Sequence, residues 1–229
     1  MKEEFIKNFT QTFITDDRYM YFLNGLKITL LIAAVAAIIG ILIGFIIAII
    51  KTTSERTGKL KALNVIANIY LTVIRGTPAT VQLLIMYYVI MQSSNNKILV
   101  AILTFGINSG AYVAEIVRSG ISSIDRGQFE AGRSLGFNYA QTMWYIIIPQ
   151  AFKNVLPALA NEFITLLKET SISGYVALTD LTRAGDLVRS RTYEAFFPLI
   201  TVALIYLVLV MFLTMGVSKL ERRLRTGDR

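Results

Sequence analysis

Long apolar runs separated by short polar segments dominate this chain. The run from Ile28 to Ile50 contains no charged residue, and about twenty apolar residues are enough for a helix to cross the ~30 Å hydrocarbon core of a bilayer. Four further runs cover Ala62 to Met91, Ile98 to Val117, about Trp144 to Leu167, and Ala195 to Ser218. The pattern predicts an all-α membrane protein with five transmembrane helices.

The ends of the chain are more polar and predict two flanking segments. Residues 1–22 place Phe5, Ile6, Phe9 and Phe13 on one helical face, which is typical of an amphipathic helix lying on the membrane surface. The early acids and the long apolar run that follows do not resemble a cleaved signal peptide. We therefore divide the chain into an interfacial segment (1–22), a single transmembrane domain (23–222) and a basic tail (223–229).

Positive charges collect in alternate loops. The loop after the first run holds four cations against one acid, the segment 119–142 contains two arginines, and the C-terminus is basic: Lys51, Arg56, Lys59, Lys61, Arg126, Arg133, Lys219, Arg222, Arg223 and Arg225. Because cytoplasmic loops carry an excess of Lys and Arg, these segments are expected in the cytoplasm. The N-terminus is then outside and the C-terminus inside.

The composition narrows the function. The chain of 229 residues is 54% hydrophobic and 17% charged, with a mean hydropathy of +0.56, which is typical of a protein embedded in the lipid bilayer. The net charge of +8 is explained by the inner loops, so we expect no nucleic-acid partner. The chain lacks Cys and His, which argues against a metal site or a catalytic residue. It also lacks a phosphate-binding P-loop, because Leu60 follows Gly58-Lys59 and Thr53 replaces the first glycine.

The second apolar run is interrupted by Arg75-Gly76-Thr77-Pro78. Pro78 removes a helical hydrogen-bond donor, and Thr77 as cap with Pro78 as first residue would start a new half-helix. The N–H groups at such a start suit a carboxylate group, so Gly76, Thr77 and Pro78 are candidate substrate contacts. A purely structural kink is the alternative. For Arg75 we favour a structural ion pair over attraction of the carboxylate.

Two acids lie within the apolar runs, Glu115 and Glu162. A membrane-depth acid costs roughly 2.5 to 3.5 kcal/mol on insertion scales, so each needs a partner or water. Glu162 is a candidate contact for a substrate's ammonium group or cationic side chain, and Glu115 is a second candidate. The alternatives are ion pairs, Glu162 with Arg75 or Glu115 with Arg118.

The polar segment around Glu130 predicts a compact exposed helix. Asp125 can cap a helix that starts at Arg126, Gly136 suits its end, and Asn138 with Gln141 has the spacing of a capping box. Small residues would let another protein approach closely, and two apolar side chains could anchor it: Ala131, Gly132, Ser134, Phe129 and Leu135. An ordinary interfacial loop is the alternative.

The same segment resembles a known motif. Glu130-Ala131-Gly132, Gly136, Ile146 and Ile148-Pro149 are similar to the EAA loop of ABC importer membrane subunits, EAA-x3-G-x9-I-x-LP. The chain departs from it at Gly132, usually Ala, and at Ile148, usually Leu. The resemblance implies a coupling helix that seats in a groove of a separate ATPase subunit, with Glu130 at the contact.

Three more stretches extend the resemblance over nearly the whole chain: Tyr70 to Leu84, Ala111 to Ile121 and Asn161 to Ser171. They are similar to the polar amino acid permeases of the histidine and glutamine importer branch. The resemblance implies a type I ABC importer fold in the prokaryotic plasma (inner) membrane, and a second permease subunit in a homodimer or heterodimer. It also implies an ATPase subunit dimer that uses ATP and Mg, an extracellular or periplasmic substrate-binding protein, and a polar amino acid as substrate.

The membrane acids favour arginine, lysine or histidine over glutamine as that substrate. Two other functions remain open on the residues alone. One is a secondary transporter driven by an ion gradient, in which the membrane acids would bind protons or sodium ions. The other is a membrane-embedded enzyme, although no paired-carboxylate motif is present.

Overall fold

The computed structural model describes residues 2–225, except the side chain of Arg225, and this part of the chain is helical without a strand. Most of the predicted basic tail, 226–229, lies outside it, as does Met1. The helices are α1 (Lys2–Phe13), α2 (Tyr19–Thr57), α3 (Lys61–Gly76), α4 (Ala79–Ile85), α5 (Lys97–Ser122), α6 (Arg126–Ser134), α7 (Tyr139–Thr142), α8 (Ile148–Glu169), α9 (Leu181–Thr192) and α10 (Phe196–Arg225). Two π-helical turns, Met86–Ile90 and Met143–Ile147, continue α4 and join α7 to α8, and two 3-10 turns cover Thr15–Asp17 and Thr170–Val176.

The apolar helices support the all-α membrane fold but not the count of five spans. Within residues 2–225, three helices are long and apolar enough to cross a membrane, at Thr15–Thr57, Lys97–Ser122 and Phe196–Leu224. A fourth candidate is the pair Lys61–Gly76 and Ala79–Ile90, which is bent by 106°. The span predicted from about Trp144 to Leu167 does not qualify. The reason is that α8 carries Lys153, Asn154, Glu162 and other polar side chains.

Helices α2 and α5 pack closely along glycines, and this contact forms the centre of the fold. A Cβ added at Gly40 would lie 3.0 Å from the Ser109 side chain. In the opposite direction, a Cβ at Gly106 would lie 2.8 Å from Ile39. Small residues allow such close approach of two membrane helices. This close contact fixes the position of the polar residues on α5.

The ends of the chain form a second packed region. Asn8 of α1 donates a hydrogen bond to Glu194 (3.0 Å), and the ring of Phe5 lies 5.0 Å from that of Phe197 at the start of α10. The backbone N–H of Leu181 in α9 donates to Thr29 of α2 (3.1 Å). Between α8 and α10 the chain forms two short helical segments, Thr170–Val176 and α9.

Candidate functional site

The break between α3 and α4 is held by the side chain of Gln82. Its amide donates to the carbonyl of Ile74 (2.7 Å) and to the carbonyl and hydroxyl of Thr77 (3.1 and 2.9 Å). The two carbonyls are backbone groups that the end of α3 leaves without a helical partner. The Thr77 hydroxyl itself donates back to Val73 (2.8 Å). The prediction that Thr77 caps the second half-helix is therefore wrong, because Thr77 closes α3 and α4 begins at Ala79 without a side-chain cap.

Gly76, Thr77 and Pro78 are all exposed at this break. A Cβ at Gly76 would meet nothing within 4 Å, so close packing does not require glycine there. The polar atoms of Thr77 are already used within the break. A role of these three residues in substrate binding stays a prediction.

A polar row crosses α5 and links the break to α8. Buried Asn108 donates to the carbonyl oxygen of the Gln82 side chain (2.9 Å). The next residue, buried Ser109, donates to Glu162 (2.9 Å). Sequence reasoning did not assign a role to Gln82 or Ser109. Their signal was a polar residue inside an apolar run, which does not reveal its partner.

Glu162 lines a cavity of about 300 Å³ between α2, α5 and α8. The other lining side chains are mostly apolar and include Ile41, Val113, Leu159 and Phe163. Glu162 accepts a hydrogen bond from the Ser109 hydroxyl. Among the described residues, no Lys or Arg side chain lies within ion-pair distance of Glu162. The alternative pair of Glu162 with Arg75 is therefore wrong. A carboxylate in an apolar cavity can bind a cationic group that enters it.

Glu115 belongs to a different cluster. It accepts two hydrogen bonds from Arg118, one of them from Nε at 3.2 Å, and its Oε2 lies 3.8 Å from Arg75 Nη1. The pair of Glu115 with Arg118 is confirmed, and Arg75 has the structural ion pair that we favoured. Six residues of helix separate Ser109 from Glu115, which is about 9 Å along α5. The two membrane acids thus lie in separate environments. Glu115 is paired with two arginines, whereas Glu162 has only a hydroxyl as its partner among the described residues.

The polar loop between α5 and α8 forms the expected compact helix. Asp125 accepts a hydrogen bond from the N–H of Gly127 (2.7 Å), and Gly136 follows α6 with φ of 82°. A full capping box starts α7, with Asn138 accepting from Gln141 N (3.0 Å) and the Gln141 side chain accepting from Asn138 N (2.9 Å). The predicted caps are confirmed.

The outward side of α6 carries most of the predicted coupling residues. Glu130, Ala131, Leu135 and Gly136 are exposed, and Leu135 is 72% exposed. Phe129 is half-buried, because the guanidinium of Arg56 at the end of α2 lies 3.6 Å from its ring centroid. Phe129 thus attaches α6 to its own chain. A coupling role for the exposed residues stays a prediction.

Gly132 is the one buried residue of α6. A Cβ there would lie 2.7 Å from Cγ2 and 2.8 Å from Oγ1 of Thr142, and 3.2 Å from Ile146. The glycine that replaces the usual alanine of the motif is therefore explained by close contact with α7. From the sequence, Gly132 was visible only as a departure from the motif.

Comparison with known proteins identifies the family. Residues 40–226 match the model of the binding-protein-dependent transport system inner membrane component. The arginine transport system permease protein ArtQ of Bacillus subtilis is 41% identical over 211 residues, which cover 91% of this chain and 94% of that protein. The putative glutamine transport system permease protein GlnP of Rickettsia typhi is 36% identical over 210 residues, 90% of this chain and 94% of that protein.

Solved structures agree with this. The crystal structure of an amino acid ABC transporter with histidines includes a chain with 44% identity and a TM-score of 0.83, over 90% of this chain and 94% of that one. The MetNI methionine ABC transporter, at 19% identity and a TM-score of 0.80 over 92% of this chain and 99% of that one, shares the fold. These matches disfavour an ion-gradient transporter or an enzyme. The chain belongs to the family of inner membrane components of binding-protein-dependent transport systems, the permease subunits of type I ABC importers.

Proposed function

We propose that this chain is the membrane subunit of an ATP-driven importer of polar amino acids in a prokaryotic plasma (inner) membrane. The observation that carries the proposal is α6, an exposed helix capped at its start and ended by Gly136, between apolar helices. A separate ATPase subunit dimer would bind this helix and hydrolyse ATP with Mg. This permease chain is not itself the ATPase.

The remaining partners follow from the same family. A second permease subunit, identical or related, would complete the translocation path, and a substrate-binding protein outside the membrane would deliver the amino acid. The excess of Lys and Arg in the loop of 51–61 and at the C-terminus, together with Arg126 and Arg133, supports a cytoplasmic position for α6, with the N-terminus outside and the C-terminus inside.

For the substrate we propose a cationic amino acid. Glu162 supports this choice, because its carboxylate lines a largely apolar cavity and, among the described residues, has a hydroxyl but no cation beside it. The α-ammonium group or the cationic side chain of the substrate would bind there, and the break at Gly76, Thr77 and Pro78 would lie along the path. Glu115 serves as a structural ion pair with Arg75 and Arg118 in this scheme rather than as a substrate contact. Relatives named for arginine and for glutamine are both similar to this chain.

The coupling proposal can be tested with the reconstituted complex of permease, ATPase and binding protein. We expect the Glu130→Ala, Gly136→Ala double variant to insert normally but to uncouple hydrolysis from uptake. ATP hydrolysis would no longer respond to the loaded binding protein, and arginine uptake would fall to background.

The matched control is Glu55→Ala with Gly58→Ala. It removes an exposed acid and a glycine with φ of 68° at the end of α2, and so repeats the same chemistry in a segment that is not part of α6. Normal uptake by the α6 variant, or an equal loss in the control, would contradict the coupling role.

A further inference from the structure

An apolar groove lies where α2 and α5 meet the α7 region. Its volume is about 290 Å³, and its lining is almost entirely hydrocarbon, from Phe45, Ile49, Val117, Met143, Trp144 and Phe152. Thr52 also lines the groove, and its hydroxyl is a buried polar atom without a hydrogen-bond partner in the described part of the chain. The groove is therefore suited to a hydrocarbon chain with an oxygen acceptor at one end.

A second cavity of about 210 Å³ adjoins the polar end of this groove, because Tyr139 lines both. It is bordered by three arginines, Arg56, Arg126 and Arg133, and by one carboxylate, Glu130. Within residues 2–225, neither Arg126 nor Arg133 makes an ion pair. Burial raises the pKa of the Tyr139 phenol, so this group stays protonated and can donate a hydrogen bond to an anion.

We propose that the groove and the arginine cavity together bind one anionic phospholipid of the membrane, with an acyl chain along the groove and the phosphate among the arginines. The shape and charge of the pair favour this occupant. A soluble anion would leave the apolar groove empty. An acidic protein segment would not fill this groove, because its lining is almost entirely hydrocarbon. The excess of guanidinium groups selects an anionic over a zwitterionic headgroup. The site rests on the cytoplasmic position of α6 proposed above.

The bound lipid would connect the coupling segment to the membrane helices. Its acyl chain would contact α2 and α5 on one side and the α7 region on the other, while its phosphate would contact α6. The lipid would therefore brace the loop at the point where α6 and α7 pack on the end of α2.

The chain contains a natural reporter, because its single tryptophan, Trp144, lines the groove. The full chain would be placed in nanodiscs of phosphatidylcholine with a small fraction of phosphatidylglycerol, and quenching of Trp144 by brominated acyl chains on either lipid would be compared. We expect phosphatidylglycerol to bind about tenfold more tightly than phosphatidylcholine, and Arg126→Gln with Arg133→Gln to abolish this preference.

Two further variants complete the test. Lys59→Gln removes an exposed cation that lines neither cavity and should leave the preference unchanged. Ala140→Phe would occupy the groove and should reduce native mass-spectrometric retention of phosphatidylglycerol from one lipid per chain to none.

Equal quenching by both lipids in the native chain would overturn the proposal, as would an equal loss of preference in the Lys59→Gln variant. If the double arginine variant kept its lipid preference but lost ATPase binding, the arginines would serve a protein and the lipid site would be rejected. None of these three results would contradict the transport function, because uptake is measured separately.

Discussion

Replacing Gly132 with alanine sets two effects of opposite sign against each other. Alanine is about 1 kcal/mol better than glycine inside a helix. The added methyl group, however, would lie 2.7 and 2.8 Å from Cγ2 and Oγ1 of Thr142, and overpacking typically costs about 1–3 kcal/mol. Rotation of Thr142 cannot remove the clash, since two of its three staggered positions face Gly132 and its two heavy atoms must occupy at least one of them.

We therefore expect Gly132→Ala to loosen α6 by about 1 kcal/mol net. Hydrogen exchange of the α6 amides, measured by mass spectrometry on the purified chain, should become roughly fivefold faster. Thr142→Ala removes both clashing atoms, so the double variant should exchange more slowly than Thr142→Ala alone. The coupling between the two sites should be about 1–3 kcal/mol.

Two results would refute the explanation of Gly132 by packing. If Gly132→Ala alone slowed exchange, helix propensity would outweigh the contact and the glycine would not be explained by packing. If the effects of Gly132→Ala and Thr142→Ala were additive, the two side chains would not meet.

Three more predictions follow from the site. Glu162→Gln should raise the half-saturating concentration of arginine in vesicle uptake at least about tenfold, because a charge-assisted contact is lost; an equal effect on glutamine uptake would show that Glu162 binds the α-ammonium group, and unchanged arginine uptake would contradict the assigned role. Glu115→Gln should lower the stability of the purified chain by about 1 kcal/mol in a denaturation assay, since Arg75 and Arg118 lose a partner while all three side chains are partly exposed; unchanged stability would argue against a structural pair. Asn138→Ala removes a cap worth about 1 kcal/mol and should speed amide exchange in α7, whereas unchanged exchange would show that the capping box is not needed.

Local features of the polar segment between α5 and α8 could be predicted from the sequence. Asp125, Gly136 and the Asn138–Gln141 pair act within one helical turn, so their spacing alone carries the information. The glycines of α2 that contact α5 include Gly40 and Gly44, and their spacing of four residues is visible in the sequence.

Contacts between distant elements could not be predicted in the same way. The capping of α3 by Gln82 and the bond from Ser109 to Glu162 depend on how α3, α4, α5 and α8 are arranged. Thr77 was assigned to the wrong helix because a hydroxyl next to proline can bond forwards or backwards, and here it bonds to Val73. Fewer than five candidate spans are found in residues 2–225 because α8 carries too many polar side chains for its apolar pattern to qualify.

Cross-linking from α6 tests the central claim most directly. The native chain has no cysteine, so Leu135→Cys creates a unique attachment point at a side chain that is 72% exposed. Tyr175→Cys, at a side chain 67% exposed near the far end of α8, is the matched control. With a short photoreactive maleimide in native membranes, we expect residue 135 to cross-link to the ATPase subunit and residue 175 not to. A residue 135 that reacted only with lipid or with the binding protein would contradict the account.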